Sequence, residues 1–408
     1  MAKKENRHAE LVSASANIEA PYELPEGWTW CRQNEVCRLA DGEKKTDVSY
    51  PYLEVKYLRG NKEKDFVTSG KFIKAGTKVI LVDGENSGEV FTVPEDGFMG
   101  STFKALSIQN VDENYLQFFI QTKKDLYRNN KKGSAIPHLN KELFFNMPFP
   151  LPPTLAEQER IVNRIETMFA KLDQAQEKAQ SVLDSFETRK AAILHKAFTG
   201  QLKIDNEELT IEDWEETTIG ECCKLGSGGT PSKSHPEYYE NGDIPWLKTG
   251  EIDWNDIYDV EEKITNEGVE NSSAKIFQAE SVVVAMYGMG VTRGKAAIIK
   301  IPTTTNQAVC VLQPNEKVNN RFLFYYFMCN YWQIREQSVG GNQLNLSGKI
   351  IASFSIKLPP LNYQLSIVNF LDTVLEKESS AKEAAKTVLD QIALLKKSIL
   401  ARAFRGEL

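Results

Sequence analysis

The chain is poor in the features from which a function is usually read. Its six cysteines, Cys31, Cys37, Cys222, Cys223, Cys310 and Cys329, form no Cys-x-x-Cys pair, and its four histidines lie far from them. That spacing argues against a structural zinc site and fits reduced thiols in a cytoplasmic protein. No apolar run approaches the roughly 20 residues needed to span a bilayer. The first ten residues also lack the apolar stretch of a signal peptide, so no membrane role is expected. Excess positive charge is missing too. A net charge of −7 excludes a uniformly basic nucleic-acid binder. Distribution matters more than the sum: an acidic block runs from Asp205 to Glu216, while cations gather between Lys44 and Lys64 and between Lys123 and Lys132.

Catalytic signatures are absent as well. The stretch Gly288-Met-Gly-Val-Thr-Arg-Gly-Lys295 looks like a phosphate-binding loop, but Met289 and Ala296 stand where a Walker loop needs Gly and Ser or Thr. Rossmann glycine spacing fails. Asp256 with Glu261-Glu-Lys263 imitates a nuclease set too loosely to count, and no Asn-Pro-Pro-Tyr or Asp-Pro-Pro-Tyr tetrad of an adenine methyltransferase occurs. The chain is expected to catalyse nothing alone and to hold no cofactor or metal. With 41% hydrophobic and 26% charged residues over 408 positions, it has room for two or three ordinary domains.

What is present is a duplication. Lys190-Ala-Ala-Ile-Leu-His-Lys-Ala-Phe-Thr-Gly-Gln-Leu202 returns as Lys396-Lys-Ser-Ile-Leu-Ala-Arg-Ala-Phe-Arg-Gly-Glu-Leu408, with seven identities in thirteen positions at an offset of 206. Leu151-Pro-Pro153 answers Leu358-Pro-Pro360, Gln158 answers Gln364, and Trp28 and Trp214 open the two halves. A chain with two copies of one module usually meets a two-part target or presents two-fold symmetry to its partners.

The organisation follows from that repeat. Residues 1–20 read as a polar extension. Residues 21–153 form a first mixed α/β domain, with strands such as Lys78–Val82 and Phe103–Ile108 and a helix near Tyr115–Leu126. Residues 154–202 form a long helix. Residues 203–360, entered through the acidic linker 203–216, repeat the domain with strands at Ser281–Met286 and Ala308–Leu312 and a helix over Arg321–Arg335. Residues 361–408 repeat the long helix.

Thr154 followed by Glu157 is a capping-box signature, and neither Pro nor Gly interrupts the chain from there to Phe198. Such a helix would be ~65 Å long, more than a domain of this size needs. Its apolar seam alternates by four and three: Ile161, Ile165, Met168, Leu172, Ala175, Ala179, Val182, Phe186, Arg189, Ile193. The second seam is Ile367, Leu371, Val374, Glu378, Ala381, Ala385, Val388, Ile392, Leu395, Ile399. An antiparallel coiled coil would set Ala175 and Ala179 against Ala385 and Ala381, Ile161 against Ile399 and Phe186 against Val374. It would give a pseudo-two-fold with one domain at each end. A parallel pair would match alanine with alanine equally well.

Several pieces in this order resemble one family. Leu24-Pro-Glu-Gly-Trp28, Gly229-Thr-Pro-Ser232, Gly242-Asp-Ile-Pro-Trp246, Asn306-Gln307, Leu-Pro-Pro before each long helix, Glu157-Gln-Glu-Arg-Ile-Val162 and the closing Ala-Phe-x-Gly-x-Leu together resemble the DNA specificity subunit of type I restriction-modification systems. The resemblance implies two target-recognition domains, each reading one half of a bipartite, interrupted site in double-stranded DNA. It implies helices that set the gap and dock two methyltransferase subunits, with restriction subunits joining through that core. S-adenosylmethionine, ATP and Mg would belong to the partners.

A reading surface needs phosphate-positioning cations beside Arg, Lys, Asn and Gln aimed at base edges. In the first domain Lys44, Lys45, Lys56, Tyr57, Arg59 and Lys62 offer that mixture, with Lys131, Lys132 and His138 in a second loop. In the second the candidates are Thr230, Ser232, Lys233, Lys248, Tyr287, Arg293, Asn306, Gln307, Asn342, Gln343 and Asn345. Gly133–Asn140 aligns without a gap on Gly340–Ser347, which predicts a turn with Ile136, Leu139, Leu344 and Leu346 inward and His138 or Asn345 at a polar tip. Where the second domain has Gly-Gly-Thr-Pro-Ser232, the first has Asp41-Gly-Glu-Lys-Lys45, as reading different half-sites would require. Two other readings stand beside this one: a coiled-coil scaffold whose terminal domains bind protein, and a specificity subunit serving a fused restriction-methylation enzyme.

Overall fold

Continuous apolar runs bounded by Gly, Asn and Asp turns fold as strands, and the seam-bearing stretches fold as two uninterrupted helices. The computed structural model describes residues 18–133, 137–202, 211–288, 290–340 and 344–408. The chain divides into two compact units, Met1–Gln180 with Lys386–Leu408, and Ser181–Ala385. Both are mixed α/β.

The strands of the first unit are β1 (Thr29–Arg32), β2 (Cys37–Ala40), β3 (Glu43–Leu53), β4 (Phe66–Ile73), β5 (Lys78–Leu81), β6 (Val90–Thr92), β7 (Gly97–Met99), β8 (Phe103–Ile108) and β9 (Pro148–Leu151). β2, β8, β5 and β6 lie in that order in an antiparallel sheet, β3, β4 and β7 close a small barrel, and β1 pairs with β9. β5 is buried throughout, which explains its unbroken apolar run. Its one polar residue, Lys78, donates to Thr92 Oγ1 at 2.7 Å and Asn114 Oδ1 at 2.8 Å, and burial holds its ammonium below the usual lysine range.

The second unit holds β10 (Glu215–Thr218), β11 (Cys223–Ser227), β12 (Ile244–Leu247), β13 (Asp256–Ile257), β14 (Lys263–Ile264), β15 (Val282–Ala285), β16 (Ala296–Ile299), β17 (Thr304–Thr305), β18 (Val309–Pro314) and β19 (Ser355–Leu358). Its main sheet runs β11-β18-β15-β16-β13, a small sheet runs β14-β12-β17, and β10 pairs with β19 as β1 does with β9.

The predicted helices each split in two. The stretch 115–126 becomes α1 (Glu113–Thr122) and a turn of helix at Lys124–Asn129; its counterpart is α3 (Asn320–Cys329), followed by Tyr331–Glu336. α1 is capped by Asp112, whose side chain accepts from Tyr115 N at 2.8 Å, and α3 by Asn319, which accepts from Phe322 N at 3.0 Å. Gln158 and Gln364, both buried, accept from the backbone amides of these capping residues at 2.8 and 2.9 Å. The repeated glutamine therefore ties each long helix to the start of its domain's helix.

Those long helices are α2 (Leu155–Phe198) and α4 (Leu361–Ala403). Thr154 Oγ1 accepts from Glu157 N at 3.2 Å, but the Glu157 carboxylate turns to Arg160 at 2.8 Å, so only half of the capping box forms. In the first unit Ile161, Val162 and Ile165 of α2 share one core with Leu400 and Ala403 of α4 and with Phe404, Tyr115, Phe119 and Phe149. In the second, Leu194 and Ala197 join Ile367, Val368 and Leu371 around Trp214, Phe322 and Leu323. Each of these buried Val, Leu, Ile and Phe side chains contributes about 1.5–3 kcal/mol. The repeated Ala-Phe motif is a docking anchor: the Phe404 ring lies 5.0 Å from Tyr115 and 5.4 Å from Phe119, and Phe198 lies 4.9 Å from Phe322.

The helices run antiparallel in each unit. In the first, Arg160 Nη2 donates to Leu408 O at 3.0 Å while Lys396 meets Asp173 and Gln176. In the second, Arg189 pairs with Glu378 at 2.7 Å, and Lys382 reaches Glu187 at 3.4 Å and lies 4.1 Å over the Phe186 ring. The register is about one heptad away from the alanine-matched one: Phe186 meets Lys382 rather than Val374. Charge explains the choice. Arg189 and Glu378 are the two polar seam positions, and alanine matching would set each against apolar side chains, leaving both ions desolvated and unpaired. As a result Ala381, Val388 and Leu395 are exposed, and Ala381 takes no part in the seam. Lys382, Leu389 and Lys396 line it half-buried. Ile161, Ile165, Ala179, Phe186, Ile367, Leu371, Ala385 and Ile392 are buried, and Leu172, Ala175, Ile193 and Ile399 half-buried.

Candidate nucleic-acid interface

The loops that bond to the ends of the central strands β5 and β15 carry the same backbone frame in both units. In the first, Lys132 and His138 exchange backbone bonds at 3.0 and 2.8 Å, Leu139 N donates to Val82 O at 2.8 Å, and Asn140 caps the next helical turn by accepting from Leu143 N at 3.2 Å. In the second, Val339 and Asn345 exchange bonds at 3.0 Å each, Leu346 N donates to Met286 O at 2.9 Å, and Ser347 accepts from Ile350 N at 3.3 Å. Leu139 and Leu346 point inward and are buried. Leu344, expected inward, is 46% exposed: the bridge is a single residue pair, Val339 with Asn345, and Leu344 lies outside it. Ile136, Asn342 and Gln343 lie outside the described residues.

Most candidate cations of the first unit are committed to carboxylates. Lys45 lies 3.5 Å from Glu43 and 3.6 Å over the Phe72 ring. Arg59 pairs with Glu89, Lys131 with Glu85 at 2.6 Å, and Lys132 with Glu142 at 3.1 Å. Lys62 bridges Asp65 and Glu54, which hold its ammonium above the usual lysine range. Tyr57 donates to Glu95, an acceptor that raises the phenol's pKa. His138 Nδ1 sits 2.7 Å from Asp83 Oδ1. Lys44 and Lys56 are exposed and without a side-chain partner among the described residues.

The second unit brings its candidates to one end of its sheets. The turn after β11 presses on the end of β17, so closely that a Cβ on Gly228 would lie 1.8 Å from Thr305 O. Trp246 Nε1 donates to Gly229 O at 3.0 Å, Thr230 Oγ1 to Gln307 Oε1 at 2.6 Å, and Asn306 Oδ1 accepts from Ala308 N at 3.1 Å. Ser232 pairs with Ser234 at 2.7 Å, and exposed Lys233 has no side-chain partner among the described residues. Lys248 is held by Glu262 at 2.6 Å, which raises its pKa.

A bond from Met286 N to Ala308 O at 2.9 Å joins that group to the glycine-rich loop bearing Tyr287 and Arg293. Tyr287 is 40% exposed. Arg293 donates to Leu344 O, and burial followed by the nearby Arg335 holds its guanidinium below its ordinary pKa. Asn345, expected at a polar tip, has a buried Oδ1 with no partner among the described residues, as do Arg293 Nε and Ser338 Oγ at the same junction.

Sequence reasoning passed over Arg335 and Tyr331. Arg335 donates to Arg293 O at 2.5 Å and Gly290 O at 2.6 Å, and Tyr331 OH donates to Val291 O. Their spacing of one helical turn is the only signal, and it means nothing until the loop lies against that helix. Among the described residues no group of three His, Cys, Asp or Glu is placed to hold a metal, and no helix is long and apolar enough to cross a membrane.

Two copies of one α/β domain, each presenting the same backbone turn with different polar side chains and each tied into paired helices, define a duplicated recognition protein. The model described as the type I restriction modification DNA specificity domain matches residues 25–183 and 211–389, and the chain belongs to that family, as a specificity subunit with two DNA target-recognition domains. It is 27% identical to the MjaVIII specificity subunit of Methanocaldococcus jannaschii over 421 positions, 94% of each chain. It is 31% identical to the EcoR124I/EcoR124II specificity subunit of Escherichia coli over 163 positions, 39% of this chain and 40% of that one. In fold it resembles the HsdS subunit from Thermoanaerobacter tengcongensis, with a TM-score of 0.63 and 20% identity over 96% of this chain and all of that one. A chain solved in work on complex assembly and conformational transition of the type I R-M system gives a TM-score of 0.72 at 19% identity, over 95% of this chain and all of that one.

Proposed function

We propose that this chain is the non-catalytic reading subunit of a type I restriction-modification complex. Each unit reads one half of a bipartite DNA site, and α2 and α4 set the gap and dock two methyltransferase subunits. Those subunits carry S-adenosylmethionine and methylate adenine; restriction subunits using ATP and Mg join through them. The observation that carries this reading is the matched pair of turns, one framed around His138 and the other around Asn345: one scaffold holding two side-chain sets is what two different half-sites require.

The ion pairs of the first unit do not stand against DNA binding. Exposed pairs are worth about 0–1 kcal/mol, so a phosphate can displace a carboxylate from Lys131 or Lys62, while Lys44, Lys56 and Lys233 need release no partner. Co-expression with the neighbouring methyltransferase, followed by single-molecule mapping of methylated adenine across a host genome, tests the proposal. A two-part motif with a fixed gap, present with this chain and absent without it, is expected. Methylation independent of the chain would refute it.

A further inference from the structure

The glycine-rich loop between β15 and β16 failed as a nucleotide-binding motif, yet it is built with care. Arg335 and Tyr331 grip its main chain from behind at three carbonyls, those of Gly290, Val291 and Arg293. The Arg335 guanidinium is itself fixed, 5.2 Å from the Tyr331 ring and 5.7 Å from the Trp332 ring. Gly294 at φ 87° lies so near that a Cβ there would sit 3.1 Å from Arg335 Cγ.

A trans peptide carries its C=O and the following N–H on opposite edges, and no cis peptide occurs among the described residues. Tying down the carbonyls of Gly290 and Val291 therefore turns the amides of Val291 and Thr292 the other way. Neither amide has a hydrogen-bond partner among the described residues, and Val291 is 59% exposed. Two successive amides facing one side form an anion-binding concavity. The loop from Tyr287 to Lys295 carries no carboxylate, whereas the corresponding loop of the first unit carries Asp83, Glu85 and Glu89. The loop is also continuous with the proposed reading end, through Met286 to Ala308 and Leu346.

We propose that the amides of Val291 and Thr292, turned outward by Arg335 and Tyr331, form a contact to a backbone phosphate of duplex DNA beside the second half-site. This rests on the reading role proposed above. Arg335 and Tyr331 are positioning residues, and the contact places the domain on the duplex without choosing bases.

The test uses the complex assembled with its methyltransferase subunits, on duplexes carrying the mapped motif, with single phosphates replaced in turn by neutral methylphosphonates. Wild type is expected to lose about tenfold in affinity at one phosphate, or two adjacent ones, of the second half-site. Arg335→Ala and the milder Tyr331→Phe should bind the unmodified duplex more weakly with base preference unchanged, and the methylphosphonate effect should vanish in Arg335→Ala. Amides carry no net charge, so the slope of log affinity against log salt should stay at its wild-type value. A slope reduced by about one would assign the contact to a side-chain cation and overturn the proposal. A methylphosphonate effect that persists in the variant, or an altered base preference, would overturn it as well. If wild type shows no preference for the mapped motif, the reading role itself fails and the phosphate contact falls with it.

Discussion

Where they are described, the turns at residues 131–140 and 338–347 share three main-chain bonds, the exchanged pair at Lys132 and His138 or Val339 and Asn345 and the bond from Leu139 or Leu346 to the end of β5 or β15, and share little in their side chains. In the first unit the frame is clipped by side chains: the ion pairs of Lys131 with Glu85 and Lys132 with Glu142, and the contact of His138 with Asp83. In the second it is held by arginines on carbonyls, with three buried polar atoms that have no partner among the described residues. The duplication has kept what the backbone must do and released what the side chains say. The turn after β11 repeats the lesson: Gly228 touches Thr305 where the first unit has Asp41 bridging Lys71 and Lys104.

The sharpest way to break the equivalence is at the repeated anchor. Phe404→Ala empties a buried site between Tyr115 and Phe119 and should cost about 3–5 kcal/mol, whereas Phe198→Ala, at a half-buried ring, should cost less; denaturant midpoints of the two variants decide. Next comes Gly228→Ala, which forces a Cβ into Thr305 and should cost about 1–3 kcal/mol. Methylation maps should then show reading lost at the second half-site and kept at the first.

A smaller effect separates the seams. Glu378→Ala strands Arg189 and should lower the melting temperature, while the double change Arg189→Leu with Glu378→Leu should restore it. That double change reproduces the residues 206 positions away, Leu395 and Leu172. If the double variant melts below Glu378→Ala, the charge pair does more than set the register.

The smallest effect concerns pH. Hydrogen bonds from Lys104 and Lys71 hold the exposed Asp41 carboxyl down to about 2. A depressed folded pKa stabilises above the unfolded value, so this clip is complete at neutral pH and is lost as pH falls from about 4 through about 2. Amide exchange of β4 should quicken over that window in wild type and not in Asp41→Asn, while β17 of the second unit stays unaffected.

Much of this was legible in the sequence where the signal is local or repeated. The doubled Ala-Phe motif, Gln158 with Gln364, Leu-Pro-Pro and the gap-free turn alignment each mark a contact that the structure makes twice. What was not legible depends on long-range partners. Lys131 is quenched by Glu85 and Arg59 by Glu89, carboxylates some 30 to 46 residues away whose nearness only the sheet creates. The helix register failed for a related reason. Alanine matching looked at size, and the decisive term was the pairing of one arginine with one glutamate. Arg335 was missed because its role lies in carbonyls that no side-chain pattern records.

The central claim is that each unit reads its own half-site and that α2 and α4 fix the gap. The most direct test deletes one heptad from the middle of both helices, preserving the seam, and maps methylation with the partner methyltransferase. At about 1.5 Å per residue and 3.4 Å per base pair the gap should shorten by about three base pairs, with both half-sites unchanged. A gap that stays the same, or half-sites that change with it, would contradict the account.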